Sequence, residues 1–496
     1  MQCVPEYSNA EFYGRVTITK TFTVECSVQE AENIKTVLAV GCSVLPGGEE
    51  IVAGGVNVSG RAAFYLAYED NDGKLKKTEC GAEFSVKAES DVKIEKVAFI
   101  AYYQGESVVT DTENGQKKIE TEVTVRLECV TVNRQRTLLK GEGLLCKNDK
   151  APFCTIVGFG ETREAIEEEF RVNYRVSDVF MRTECACISE VQCGVGSVIV
   201  DGNIFLRLLN LQNGEKNAII AEERKIPFRT EVEIEGVTPD MTATAAAPFV
   251  RSSLKAVVDE DKNYTDFTFN FDIIIKAMAC TVSEREFVSD AYSPVNEVEI
   301  AKQNFDSCVF NGTFGVTEKV FAGTGFAPQS DEELIAVTGE RVENVTLADD
   351  GTVSGILSAY AITKSQNGYY QVPVNGAFSF PLATEKGVNQ ADIRLMCTTI
   401  ESFSYRLRAE VELEATLSLG FVKCSCQSVN TVVGVTVGEE KQAETSAISV
   451  YVARRGDTAW DVCKQLGESE ETINKFNTGL VYPLNGDERI IVYRGL

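Results

Sequence analysis

The chain runs to 496 residues, with 48 Lys and Arg against 74 Asp and Glu, a formal net charge of −26, 44% hydrophobic residues and no histidine. Its length predicts about three or four domains rather than one core. The charge excludes nucleic acid as a general partner, since a phosphate-binding surface needs clustered Lys and Arg, and the missing histidines exclude Ser–His and Cys–His catalysis and the commonest zinc ligand.

In chain order, the opening MQCVPEYSNAEFYGR is no export signal, so a cytoplasmic location is expected. The most apolar run, VAFIAYY (Val97–Tyr103), is far short of the roughly 20 apolar residues that cross a bilayer, and no transmembrane segment is expected. Strand follows strand. VTVRLECVTV (Val123–Val132), DFTFNFDIII (Asp266–Ile275) and AEVELEATLSL (Ala409–Leu419) alternate or run apolar and are rich in Val, Ile, Thr and Phe. Two segments have helical spacing instead: ETREAIEEEF (Glu161–Phe170), read as a solvated helical turn, and DEELIAV (Asp331–Val337). Boundaries fall near Cys146–Phe153 and near Asp290–Asn304, the latter within the turn-forming SDAYSPVNE.

Three stretches share one pattern: Val56–Val86, Val198–Val232 and Gly351–Leu382. Each opens on Val-x-Gly: Val58-Ser59-Gly60, Val200-Asp201-Gly202 and Val353-Ser354-Gly355. A strand follows, then a hairpin dipeptide that tolerates positive φ: Asp72-Gly73, Asn213-Gly214 and Asn367-Gly368. Each closes on a strand entering a Phe: Phe84, Phe228, and Phe378 or Phe380. A threefold pattern means tandem domains. The expected class is mainly β, with three tandem antiparallel β-rich domains at 1–148, 149–296 and 297–434, a linker at 435–446 and a small βααβ domain at 447–496.

The sixteen cysteines form no compact framework, and buried reduced thiols are expected. The tight pairs Cys185-Ala186-Cys187 and Cys424-Ser425-Cys426 each put two thiols on one strand face. No C-x-x-C exists, so a four-ligand zinc site is not expected, and no metal or other cofactor is assigned. GFGETR (Gly158–Arg163) and AGTGFA (Ala322–Ala327) lack the spacing and Lys of a phosphate-binding loop.

From Gly434 the sequence turns small and polar, as a linker does. SVYVARRG (Ser449–Gly456) then reads as a strand, Asp457 and Thr458 as caps of a helix carrying Trp460, Val462, Cys463 and Leu466 on one side, ETINKFN (Glu471–Asn477) as a second helix, and ERIIVYR (Glu488–Arg494) as a returning strand.

The three hairpin-centred stretches, with QEAENIKTVLAVGCSV (Gln29–Val44) upstream, resemble the SPOCS-type repeated spore-coat domain of sporulating bacteria over residues 20–435. The Pro-Asp-Ile usual in that family is Glu32-Asn33-Ile34 here, and the third copy has SDEELIAV (Ser330–Val337). The last segment resembles the LysM domain through Tyr451, Gly456-Asp457-Thr458, Ile473, Asn477, Pro483-Leu484, Gly486 and Ile490-Ile491-Val492, with Trp460 in place of the usual Leu. That resemblance implies a shallow groove for N-acetylglucosamine chains between Gly456, Asp457, Thr458 and Ala459 on one side and Asn477, Thr478, Gly479, Leu480, Val481 and Tyr482 on the other. Gly456 and Thr458 also serve as turn and cap, and Leu480–Tyr482 suit a protein partner as well as a sugar.

Together the segments resemble the coat morphogenetic proteins of anaerobic spore-formers. This resemblance implies a non-enzymatic adaptor in the mother-cell cytoplasm at the forespore surface, whose LysM docks on the ATPase of the coat basement layer. The alternatives are a peptidoglycan-binding protein, and an enzyme built on an Asp or Glu pair, for which no residue sits in a recognisable catalytic context.

Overall fold

Apolar side chains at every second position turn one face of each long strand inward. Phe267, Phe269, Phe271, Ile273 and Ile275 are buried, and the residues between them are only half-buried. The computed structural model describes residues 3–29, 31–111, 116–212, 218–247, 249–258, 260, 264–383, 392–441 and 448–493, and they are mainly β.

The strands fall into three sets. The first holds β1 (Val4–Ser27), β2 (Ile34–Val52), β3 (Gly55–Asp70), β4 (Leu75–Glu89), β5 (Lys96–Asp111) and β6 (Lys117–Glu142). The second holds β7 (Leu145–Cys193), β8 (Ser197–Gln212), β9 (Ile219–Glu233), β10 (Thr242–Ala246), β11 (Phe249–Val258) and β12 (Tyr264–Tyr292). The third holds β13 (Asn296–Gly323), β14 (Glu333–Leu347), β15 (Thr352–Ser365), β16 (Gly368–Pro381), β17 (Ile393–Leu407) and β18 (Val411–Glu440). The chain ends with β19 (Ile448–Val452), α1 (Ala459–Leu466), α2 (Glu470–Phe476) and β20 (Arg489–Tyr493).

Pairing is antiparallel throughout and repeats from set to set. In the first, β6 lies between β1 and β5, while β2, β3 and β4 form a separate meander. The third has the same plan, with β18 between β13 and β17 and the meander β14, β15, β16. In the second, β7 pairs with β12 up to Val176 and with β8 from there on, so one strand does the work of β1 and β2. Within each set the two layers share a core, as where Ile18, Val125 and Leu127 meet Val56 and Val58.

The Val-x-Gly signature has a packing cause. Gly60, Gly202 and Gly355 each pair across the hairpin with the closing Phe: Phe84, Phe228 and Phe378. A Cβ would lie 2.6 Å from the Phe84 ring at Gly60 and 2.7 Å from the Phe378 ring at Gly355, and closer still to the Phe228 ring at Gly202. The missing side chain is the seat of the ring. Phe378, not Phe380, is therefore the equivalent of Phe84. Gly73 and Gly368 take φ of +78° and +119° in their hairpins, as expected; Asn213-Gly214 lies outside the described residues.

The sets meet around shared clusters. Phe12 of β1, Phe153 of β7 and Phe305 of β13 converge, with ring centroids 5.6 Å apart for Phe12–Phe153 and 4.4 Å for Phe12–Phe305. A second cluster joins Leu38 and Tyr65 to Phe180 and Met181 and to Ala336 and Ile362. Buried Arg207 of β8 reaches buried Glu340 of β14 at 2.8 Å, and Lys276 pairs with Glu49.

Four expectations are corrected. ETREAIEEEF is part of β7, paired with β12. Ile166 and Phe170 share a face at a spacing of four in a strand just as in a helix, so their spacing did not discriminate. DEELIAV is not helical, and β14 begins at Glu333 and pairs with β15. The proposed linker begins too early, because β18 continues to Glu440, held by Asn296, Val298 and Ile300 of β13; residues 442–447 lie outside the described residues. Thiols are not all reduced. Cys308 and Cys426, direct partners on β13 and β18, form a disulfide, and the other cysteines are free.

Candidate functional site

The carboxy-terminal unit is built from its caps. Thr458 closes a capping box, its hydroxyl accepting from the Asp461 amide at 3.3 Å while the Asp461 carboxylate accepts from the Thr458 amide at 3.0 Å. Gly467 ends α1 in the left-handed conformation, and Ser469 caps α2. Val462, Cys463, Ile473, Leu484, Ile490 and Val492 form the core beneath the two-stranded sheet.

Of the candidate binding residues, several are occupied by the fold itself. The Gly456 amide donates to the Leu484 carbonyl at 2.8 Å, and the Leu484 amide donates to the Asp457 carbonyl at 2.9 Å, tying the first loop to the chain just beyond Tyr482. The Asp457 carboxylate accepts from the Tyr451 hydroxyl at 2.7 Å and the Arg454 amide at 2.8 Å. The Asn477 side chain stitches α2 to β20, donating to the Ile473 and Ile491 carbonyls and accepting from the Ile491 amide, all within 2.8 Å. Ala459, Leu480 and Tyr482 are half-buried, the last two against the unit's core. Gly456, Thr458, Thr478, Gly479 and Val481 face outward, and Val481 is 77% exposed. A Cβ at Gly456 or Gly479 would meet nothing within 4 Å, so both loops present open backbone.

Trp460 does not face this surface. Its indole donates to the Asp290 carboxylate at 2.8 Å, and its ring meets Tyr292 edge-on at 5.0 Å. Lys464 and Lys302 both reach Asp290, at 2.7 Å and 3.0 Å respectively, and the Tyr292 hydroxyl donates to the Glu468 carbonyl at 2.6 Å. The unit is thereby fastened to the ends of β12 and β13. Burial pushes the Asp290 carboxyl up, but hydrogen bonds from Lys464, Trp460 and Lys302 outweigh it and hold the group down at about 2. Sequence reasoning missed Asp290, Tyr292 and Lys464 as a dock, because SDAYSPVNE looked like a plain boundary.

A cavity of about 290 Å³ lies where the three sets meet, lined among others by Ile100, Cys185, Ala246 and Phe421. The hydroxyl oxygens of Tyr102, Thr313 and Thr398 on its wall are buried with no hydrogen-bond partner among the described residues.

Residues 175–252 match the family described as SipL, SPOCS domain. The match runs from the second half of β7 through β8, β9 and β10 into β11. It identifies a SPOCS domain within the second strand set and supports a sporulation-related role for the chain. Comparisons with curated proteins and with solved structures gave no match. No helix among the described residues is long and apolar enough to cross a membrane.

Proposed function

We propose that the chain is a non-enzymatic adaptor of endospore coat assembly, working in the mother-cell cytoplasm at the forespore surface. The observation that carries this is the SPOCS match in the second strand set. The Gly–Phe seat recurs in the first and third sets at the same place in the hairpin, which supports reading all three as tandem SPOCS-type domains. The βααβ unit is then a LysM-type docking module whose partner is the ATPase of the coat basement layer. Several modules on one chain raise each other's effective concentration once the first is bound, so tethering needs no single tight contact. Strand edges add a second route, by pairing with extended segments of partners.

The outward open backbone at Gly456 and Gly479 favours one other reading, an N-acetylglucosamine-binding protein of cell wall or cortex. Imaging separates the two. A fluorescent fusion of the full chain is expected to ring the forespore before cortex forms, and Val481→Asp to disperse it. A fusion that marks cell wall, or ignores sporulation, would overturn the adaptor reading.

A further inference from the structure

We propose that Cys308, Cys424 and Cys426 form a thiolate site for a soft cation of the Zn²⁺ type, closed while Cys308 and Cys426 are joined and opened by reduction. The three sulfurs lie within 4.8 Å of one another, and those of Cys424 and Cys426 are 3.9 Å apart. Zn–S bonds of ~2.3 Å in a tetrahedron set neighbouring sulfurs about 3.8 Å apart, so Cys424 already stands where a third ligand belongs. A covalent staple needs only two cysteines; the third has no part in it.

The strands explain the placement. Cys308 on β13 lies opposite Cys426 on β18, and Cys424 is two residues earlier on the same face of β18. Cys308 and Cys424 are buried among Val130, Met278, Phe310 and the free thiols Cys154 and Cys280, whereas Cys426 is exposed. An ion therefore has a buried inner side, walled in part by Val130, Met278 and Phe310, and an open side for its arrival and for a water as fourth ligand. A donor set of thiolates alone selects Zn²⁺, Cd²⁺ or Cu⁺ over Mg²⁺ or Ca²⁺. The Arg15 guanidinium lies beside Cys424, paired with the Glu128 carboxylate at 2.6 Å.

The chemistry balances with a dithiol as reductant. It supplies two electrons and two protons, the Cys308–Cys426 bond breaks to give two thiols, and the dithiol leaves as its own disulfide. Zn²⁺ then displaces the protons of all three thiols to solvent, and the product carries one net negative charge. Loading is thus gated by the redox state of the surroundings, with Cys424 the reduced ligand in both states.

The full chain, reduced with a phosphine and freed of oxygen, is alkylated with and without Zn²⁺, and modification is mapped by mass spectrometry. Zn²⁺ is expected to slow labelling of Cys308, Cys424 and Cys426 at least ten-fold and to leave the remaining cysteines unchanged. A parallel Cd²⁺ titration follows the thiolate–cadmium charge-transfer band. The reduced chain is expected to bind one more ion than Cys424→Ser reduced in the same way, a variant that leaves Cys308 and Cys426 in place. The oxidised chain is expected to bind no more than Cys424→Ser does. Unchanged labelling at the three positions, or equal Cd²⁺ stoichiometry in the reduced chain and Cys424→Ser, would overturn the site.

Discussion

Asp290 shows how one carboxylate can fix the place of a whole unit. It takes hydrogen bonds from Trp460 and Lys464 across the junction and pairs with Lys302 at the start of β13. Its carboxyl is held at about 2, below the ordinary carboxylate range. A depressed carboxylate stabilises fully above its ordinary range and loses that contribution as pH falls through its folded value. Docking should therefore be constant at neutral pH and weaken between pH ~4 and ~2, by about 1–2 kcal/mol once solvent screening is allowed for. Amide exchange in α1, followed against pH, checks this. Asp290→Asn should raise that exchange at pH 7 and flatten its acid dependence. Tyr102 makes the opposite case. Its hydroxyl oxygen is buried without a partner among the described residues, so Tyr102→Phe should leave the melting temperature unchanged or slightly raised. A clear destabilisation would reveal a bond at that hydroxyl. Trp460 was legible in the sequence as a large apolar residue beside a cap, but its role was not. Its partner Asp290 lies 170 residues away, and single-chain spacing carries no signal over that distance.

At the scale of the element, the hairpins were the most readable part. Val-x-Gly, the turn dipeptide and the closing Phe are local, and they describe one object: a ring seated on a glycine across two strands. Gly202→Ala should cost about 1–3 kcal/mol by overpacking, measured by urea unfolding. Gly202→Ala combined with Phe228→Ala should cost less than the sum of the single changes, because the second removes the ring that the first one strikes. Additive costs would show that the contact does not set the signature. The helical reading of ETREAIEEEF failed for a definite reason. Ile166 and Phe170 satisfy a period of four, which is a multiple of the strand period of two, and only the pairing with β12 settles between them. The linker reading failed similarly. Small polar residues in GVTVGEE conceal Val435 and Val437, which pack beside Val298 and Ile300 of β13.

At the scale of the molecule, three strand sets are held around common clusters and a terminal unit is fastened beside them. Phe12, Phe153 and Phe305 are one residue from the first strand of each set, and no local pattern announced their meeting. Phe153→Ala should cost roughly 3–5 kcal/mol and loosen the sets from each other. Protease resistance that falls across all three sets would bear this out, whereas a loss confined to the second would not. For the candidate site, the sequence named residues on two loops but not which of them remain outward. Asn477 and Asp457 are bound up in the fold, leaving Gly456, Thr458, Thr478, Gly479 and Val481 facing outward. The central claim is that this surface docks a protein. The most direct test is calorimetry of the full chain against purified coat basement-layer ATPase, with N-acetylglucosamine oligomers titrated in parallel. Saturable binding to the ATPase is expected, weakened at least ten-fold by Val481→Asp, with none to the oligomers. Saturable binding to the sugar with none to the ATPase would contradict it.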